Sequence, residues 1–258
     1  MTTQKRTCAF CGEQKNLSRE HIFPNGVIRT FRHDMLSYTD KSDKMFKADL
    51  TVKDVCESCN NGSLSQLDSC FIQLYKNFMQ TPLLPGSNAE FNFNYNLLLR
   101  ELLKISFNSA RASADGFKAV NALKKYVPYI LGKVSEAPDV MLRLQIVTSS
   151  KQLNTKTNQI ERMMEAELLR CCKIDYKGPQ HSFFIVRLVA LNSFWFYLIV
   201  PLKNVSTSKK EAFLTGFLGS SNLKGVPLAS SMNSVSIPKE KTTYMHPNLF
   251  EGLNAKRA

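Results

Sequence analysis

Two cysteine pairs of the form C-x2-C, Cys8/Cys11 and Cys56/Cys59, constrain this chain more than any other feature of its sequence. Each pair presents two thiolates from one tight turn, and four such soft ligands suit a tetrahedral Zn²⁺. Because four protein ligands leave no open position for a substrate, the predicted zinc is structural. A redox role is less favoured, since neither pair opens a helix after a core strand. Zinc would stabilise a segment that has little apolar core of its own.

The pattern along the chain predicts an α+β fold of two parts. Residues 1–80 form the zinc-stapled module, 81–88 (TPLLPGSN) form a linker marked by two prolines and a glycine, and 89–258 form a larger mixed α+β domain. Apolar spacing predicts helices and strands within these parts. The predicted elements are helices over 62–79, 95–114 and 118–131, a strand over 140–147, a helix in preference to a strand over 155–172, two strands within 183–200, and loops with at most short elements after 204.

A 20-residue apolar run at 183–202 has the length of a membrane span. Arg187 interrupts it and Asn192-Ser193 lies at its middle, so two strands joined by a tight turn are the better prediction. The first residues lack the apolar core of a signal peptide, which predicts a cytoplasmic protein with reduced cysteines. We therefore expect Cys70, Cys171 and Cys172 to be small buried residues rather than disulfide partners.

The charge favours a polyanionic partner. The chain carries a net charge of +13, and residues 1–80 contribute little of it, with 11 Lys and Arg against 9 Asp and Glu. The remaining residues hold 23 against 12, so most of the attraction for phosphates lies outside the zinc module. Aromatic residues at 183–197 could stack bases, although filling the core is the simpler expectation. The basic residues that could face phosphates include Lys124, Lys125, Lys151, Lys203, Lys209, Lys210, Lys224, Lys239 and Lys241.

Two further motifs lie at and between the cysteine pairs. The first reads Ser18-Arg19-Glu20-His21-Ile22-Phe23-Pro24, and the second reads Cys59-Asn60-Asn61-Gly62 and runs into the predicted helix. Taken alone, a histidine beside a carboxylate is often a satisfied structural residue, and an Asn pair before a helix is a cap. Together with the cysteines they form an ordered set that is far more specific.

Over residues 8–68 the chain resembles the HNH endonuclease superfamily, in the branch written C-x2-C, EHIFP and C-x2-C-N-N-G before a helix. The resemblance implies a ββα-metal module in which a hairpin and a helix hold one divalent cation. It implies that His21 is the general base, that Asn60 ligates the catalytic ion, and that Glu20 is a second ligand or an orienting group. Carboxylate and amide oxygens are hard ligands, so the resemblance implies Mg²⁺ or Mn²⁺ as the catalytic ion.

The sequence departs from the family where an Asn normally precedes the second cysteine pair and orients the histidine. Asp49, Asp54 or a backbone carbonyl are the candidates to replace it. Asp68, on the predicted helix, is a possible further ligand of the ion or a solvated residue. The residues predicted to contact the substrate are Arg19, Asn61, Arg32 and Lys53, of which Arg32 lies in a long charged loop that could equally be solvated.

These observations predict a metal-dependent endonuclease that hydrolyses DNA, with double-stranded DNA as the expected partner and no membrane association. A restriction or anti-phage effector and a mobile-element nuclease are both compatible roles. A zinc-dependent nucleic-acid-binding protein without catalysis is the alternative, because the orienting Asn is absent. The larger domain could position the substrate, form a homodimer, or bind a regulatory partner that gates the nuclease.

Overall fold

A computed structural model describes residues 7–31, 37–114, 116–153, 160–164, 166–220 and 225–240. The fold is mixed α+β, as predicted, with one seven-stranded sheet, small strand pairs and several helices. Among the described residues, no helix is both long and apolar enough to cross a membrane.

The cysteine-rich end of the chain forms short elements. They are β1 (Leu17–His21), the single-turn helix α1 (Asn25–Ile28), β2 (Ser37–Thr39), β3 (Lys44–Phe46) and β4 (Thr51–Cys56). Strands β1 and β4 pair antiparallel, with Glu20 opposite Val52 and an irregularity in register between Ser18 and Glu20. β2 and β3 form a hairpin of their own.

A helical stretch follows β4 directly. It consists of α2 (Glu57–Cys59), a π-helical turn (Asn60–Leu64), α3 (Ser65–Leu74) and a second π-helical turn (Tyr75–Met79), with a break in backbone geometry at Gly62. The predicted apolar face is buried at Leu64, Leu67 and Phe71. Beyond Phe71 the buried positions become Tyr75 and Met79 rather than the predicted Leu74 and Phe78. A π turn holds more residues than an α turn and so rotates the buried face.

Three helices follow, and the first of them is the longest. Asn94 caps α4 (Tyr95–Ala112) by accepting a hydrogen bond from the Leu97 amide at 3.1 Å, as Asn often does at this position. α4 ends two residues before the predicted boundary, and α5 (Gly116–Lys124) and α6 (Val127–Ile130) replace the predicted bent helix. Pro128 lies in the first turn of α6, where its missing amide proton costs nothing.

The large sheet has the strand order β5–β13–β6–β11–β10–β9, with β12 also paired to β6. All of its pairings are antiparallel except that of β13 with β6. The predicted strand pair at 183–200 is confirmed, and Asn192 makes its turn with φ of 51°. The strands are β5 (Asn88–Asn92), β6 (Met141–Val147), β9 (Leu169–Ile174), β10 (Phe184–Leu191), β11 (Phe194–Pro201), β12 (Val226–Leu228) and β13 (Ser234–Glu240), and β7 (Ser150–Leu153) pairs separately with β8 (Ile160–Met164).

Helices cover both faces of this sheet. Every residue of β10 and β11 is buried. One face, which includes Phe196 and Leu198, belongs to the large apolar cluster that α4 completes. The other face, which includes Trp195, packs against Phe213 and Phe217 of α7 (Thr207–Ser220). The expectation that aromatic residues of 183–197 fill the core is therefore confirmed for the described strands.

Three sequence-based predictions are wrong. Residues 155–172 were expected to favour a helix, yet the described part forms β8 and the start of β9, because β10 offers β9 a complete hydrogen-bonding edge. The region after 204 contains the 14-residue helix α7, whose phenylalanines supply an apolar face despite its polar composition. Cys70 is exposed, and Cys171 and Cys172 are only partly buried.

Apolar packing continues across the predicted linker at 81–88. The ring of Phe10 meets that of Phe107 on α4 edge to face, with centroids 5.5 Å apart. Leu67 and Phe71 belong to the same apolar cluster as Leu98 and Leu102. The proposed division into two domains stays a prediction, since packing contacts do not say which segment folds alone.

Candidate metal centre

The four N-terminal cysteines converge at one point. Their sulfur atoms all lie within 4.8 Å of one another, and those of Cys11 and Cys56 are 3.7 Å apart. A Zn–S bond of about 2.3 Å in a tetrahedron implies a sulfur–sulfur separation of about 3.8 Å. Cys8, Cys56 and Cys59 are buried, and Cys11 is partly exposed. The donor set and spacing therefore fit a structural zinc ion.

Local backbone structure explains why the thiols converge. The first cysteine turn closes through a hydrogen bond from the Gly12 amide to the Cys8 carbonyl, at 3.0 Å, and Gly12 adopts φ of 77°, which favours glycine. The Cys56 amide donates to the Cys8 sulfur at 3.3 Å and so joins the two turns. A hydrogen bond from an amide to a sulfur favours its thiolate form, which is the form that binds metal.

The thiols respond electrostatically to one another. Burial acts to raise the pKa of Cys56, but hydrogen bonds from Ser58 and Cys59 outweigh it and lower that pKa to about 6. Burial and the neighbouring thiols raise the pKa of Cys59. Four adjacent thiolates repel one another, so a bound cation is what allows all four to ionise.

His21 ends strand β1 near the surface. Its side chain is 31% exposed, and its Nε2 atom lies 3.5 Å from Oδ2 of Asp49, whose side chain is 44% exposed. Asp54, the other carboxylate considered for orienting the histidine, forms a two-point ion pair with Arg111 at 3.1 and 3.2 Å instead. Of the two, Asp49 is the carboxylate beside the imidazole.

Asn60 joins the helix start to the histidine strand. Its Nδ2 atom donates to Ser18 Oγ at 3.0 Å and to the carbonyl of Arg19 at 2.9 Å, two residues before His21. Its backbone is already helical, so the predicted capping role of Asn60 is wrong: helical structure begins earlier, at Glu57. Helix and strand are thereby held together at the position where the resemblance places the site.

Glu20 and Asp68 meet at a buried lysine. The Lys104 ammonium, fully buried on α4, contacts Glu20 Oε1 at 3.3 Å, Glu101 Oε1 at 3.1 Å and Asp68 Oδ1. Glu20 is 4% exposed, so its carboxylate faces the interior while His21 faces Asp49. Two residues predicted to bind one cation thus share a lysine, and binding a cation there requires that ion pair to open.

The cluster carries perturbed pKa values. Burial raises the pKa of Glu101 to about 8 and also raises that of Glu20, in both cases against the opposing effect of Lys104. Burial acts to lower the pKa of Lys104, but the three carboxylates outweigh it and raise that pKa. A proton on Glu101 reduces the excess negative charge that is buried here.

The remaining predicted site residues differ in position. Arg19, Asn61 and Lys53 are exposed, and Arg32 lies outside the described residues. Within the described ranges, the cysteines are the one group of three or more His, Cys, Asp or Glu side chains close enough together to hold an ion. The donor set predicted for a catalytic cation does not form a comparable group.

Sequence analysis missed three polar residues of α4. Lys104, Asn108 and Arg111 contact Glu20, the His21 carbonyl and Asp54, respectively. The available signal was charge among apolar residues of the predicted helix: Glu101 and Lys104 flank Leu102 and Leu103. Buried charges are almost always paired, but the sequence does not show with what.

An open groove elsewhere lacks the groups expected of a hydrolytic site. Leucine, phenylalanine and asparagine side chains line it. Its lining includes Leu74, Phe78, Phe93, Asn77, Asn92 and Asn94, but neither His21 nor the four cysteines. The residues of the candidate site, His21, Glu20 and Asn60, therefore do not line this groove.

Comparison of the chain with models of protein families, with curated protein sequences and with solved structures found no match in any of the three. The functional argument therefore depends on the residues and their geometry.

Proposed function

We propose that the protein is a metal-dependent endonuclease of the HNH type that hydrolyses phosphodiester bonds in DNA. The observation that supports this proposal is a strand–strand–helix unit on the cysteine cluster. Its helix start, through Asn60, is hydrogen-bonded to the strand that presents His21. Asp49 and the half-exposed imidazole lie on the solvent side of that unit.

In the proposed reaction His21 takes a proton from water, and the hydroxide forms a bond to the phosphorus while one P–O ester bond breaks; the sugar oxygen leaves and takes up a proton from solvent. Asp49 orients the ring and stabilises the imidazolium that forms. A bound Mg²⁺ or Mn²⁺ would neutralise charge on the phosphate and the leaving oxygen. Glu20 and Asp68, the proposed carboxylate ligands, contact Lys104 and would have to leave it in order to hold the cation.

The region after residue 88 would hold the substrate. Support comes from Phe183, whose ring centroid lies 4.4 Å from the ammonium of Lys203 and 4.6 Å from that of Lys209. Both lysines are exposed and the ring is partly exposed. Ammonium groups around an aromatic ring form a surface suited to a nucleic-acid backbone and its bases. Restriction, anti-phage defence and mobile-element mobility, all in the cytoplasm, are the roles we propose for this activity.

A second function is favoured by the buried ion pairs. Glu20 and Asp68 contact Lys104, and among the described residues the four cysteines are the one close group of three or more His, Cys, Asp or Glu side chains. These observations favour a zinc-dependent nucleic-acid-binding protein without catalysis. The two functions differ in whether His21 is needed for turnover.

Plasmid DNA incubated with the full-length protein and Mg²⁺ or Mn²⁺ separates the two functions. We expect nicking or linearisation, and we expect His21→Ala to reduce it at least about 100-fold because the general base is lost. His181→Ala is the matched control, since His181 is an exposed histidine bonded to the Gly178 carbonyl. Zinc content and DNA affinity should persist in both variants. Equal cleavage by His21→Ala would reject the base, and DNA binding without cleavage by the parent would favour the second function.

A further inference from the structure

We infer that helix α4, which follows the predicted linker, positions the His21 site, and that Asn108 is the positioning residue for the imidazole. Its catalytic consequence rests on the proposed function, whereas the positioning of the imidazole does not. The inference begins from the contact between Asn108 Nδ2 and the carbonyl oxygen of His21, 3.1 Å long.

Three polar side chains of α4 contact the β1–β4 pair from one face of the helix. Lys104, Asn108 and Arg111 are four and three residues apart, so they share one face of the helix. Lys104 contacts the carboxylate of Glu20 at 3.3 Å, and Asn108 contacts the carbonyl of the next residue, His21. Consecutive residues of β1 are therefore held by consecutive turns of one helix.

Arg111 fixes the orientation of the Asn108 amide. Its guanidinium donates to Asn108 Oδ1 at 3.1 Å and to both carboxylate oxygens of Asp54 on β4. It also lies over the ring of Phe107, 4.1 Å from the centroid. With Oδ1 occupied as an acceptor, Nδ2 is the atom left to donate to His21, which settles which way the amide points.

Burial makes this arrangement rigid. Lys104 and Asn108 are fully buried, and Arg111 is 9% exposed. Removing one partner leaves a buried polar group unsatisfied, so alternative rotamers are disfavoured. Asp49 is 44% exposed and contacts the ring at 3.5 Å, so solvent competes for that contact. A buried hydrogen bond to the His21 carbonyl constrains the backbone from which the imidazole projects.

It follows that the site extends beyond residues 1–80. Helix α4 supplies Lys104, Asn108 and Arg111, and the α3 residue Asp68 meets the same Lys104 ammonium. The larger region would then have a structural role in the site in addition to any role in holding substrate. A segment ending at residue 80 would leave the carboxylate of Glu20 and the carbonyl of His21 without these partners.

The test is Asn108→Leu in the full-length, zinc-loaded protein. Leucine has nearly the shape of asparagine and adds no charge, but it cannot donate to the carbonyl. We expect the imidazole NMR resonances of His21 to move while zinc content is unchanged. We expect kcat to fall by about 10- to 100-fold with little change in KM. Asn96→Leu, on the exposed start of the same helix, is the control and should change neither.

The outcomes separate the two proposals. Moved His21 resonances in a protein whose parent shows no cleavage would uphold positioning and reject the nuclease. Unmoved resonances and an unchanged kcat would overturn the positioning role. If Asn108→Leu does not fold, Arg111→Lys takes its place, because lysine keeps the charge beside Asp54 but lacks the fork that also holds Asn108. His21 imidazole resonances identical to the parent's in that variant would also overturn the inference.

Discussion

The cysteine-rich region and the central sheet of this protein differ in the balance of interactions that stabilises them. Strand β1 has one buried residue, and it is the charged Glu20, whereas β10 and β11 are buried along their whole lengths. At one end, four clustered thiols and a set of ion pairs add to a small number of buried apolar residues such as Val27 and Val55, whereas aromatic and aliphatic burial dominates at the other. A region with this small an apolar core can leave a histidine near solvent, which a closed apolar core cannot.

Loss of one zinc ligand should have the largest effect on this contrast. Cys56→Ser removes one of the four sulfur ligands, so we expect zinc binding to fail. Structural zinc contributes about 10–16 kcal/mol to the folding free energy of zinc-finger peptides, so the loss should be large. Hydrogen exchange should show protection lost at β1 and β4 and retained at β10 and β11. Cys70→Ser is the control, because Cys70 is exposed and outside the cluster. Retained zinc at one equivalent in Cys56→Ser would contradict the site.

A cavity in the sheet should have the next largest effect and spare the metal. Phe196 is fully buried between β6 and β10 and contacts Phe91, so Phe196→Ala should lower the free energy of unfolding by about 3–5 kcal/mol. Denaturant titration measures this change. Phe117→Ala is the control, since Phe117 is 87% exposed and should change stability by less than about 0.5 kcal/mol. Zinc stoichiometry at low denaturant should equal the parent's, and its loss would show that the two regions are not separately stabilised.

The sequence predicted what depends on local pattern. Apolar spacing gave α4 and the β10–β11 pair, and cysteine spacing gave the cluster, because each signal lies within a few residues or in one kind of side chain. Strand β9 and helix α7 were not predicted, because each is stabilised by tertiary contacts. β9 pairs with the edge of β10, and Phe213 of α7 packs against the aromatic face of the sheet. Tertiary context overrode local composition in both.

The candidate site was predictable in its residues but not in its partners. His21, Asn60 and Glu20 could be named from motifs, and adjacent strand residues such as Glu20 and His21 face opposite sides. The sequence does not show that His21 then meets Asp49 while Glu20 meets Lys104. The charged residues Glu101 and Lys104 among the leucines of α4 indicate that buried ion pairs form, but not which residues outside the helix take part. Contacts 87 residues apart in sequence, such as that of Asn108 with His21, have no local signature.

The charge cluster that joins the two regions should make stability depend on pH. Burial raises the pKa of Glu101 to about 8, so the native state binds a proton that the unfolded state releases near pH 4.5. By linkage, stability falls as pH rises from about 5 to 8. Glu101→Gln, which cannot ionise, should flatten this fall and stabilise the protein at pH 8 by roughly 1 kcal/mol or more. Thermal unfolding across this pH range measures it, with Glu90→Gln, on the surface, as the control. A parallel pH dependence in Glu101→Gln and the parent would contradict the assignment.

The smallest effect should come from the basic surface that distinguishes the larger region. Lys203→Ala with Lys209→Ala removes both ammonium groups around Phe183, so the slope of log affinity for DNA against log salt should fall by about 2. The pair Lys118→Ala with Lys133→Ala is the control, because it removes the same charge from exposed positions that are not among the predicted phosphate-facing residues. Salt titration of fluorescence anisotropy measures both slopes. If the two double variants lose equal amounts, binding depends on net charge rather than on this surface, and the contrast between the regions would be one of stability alone.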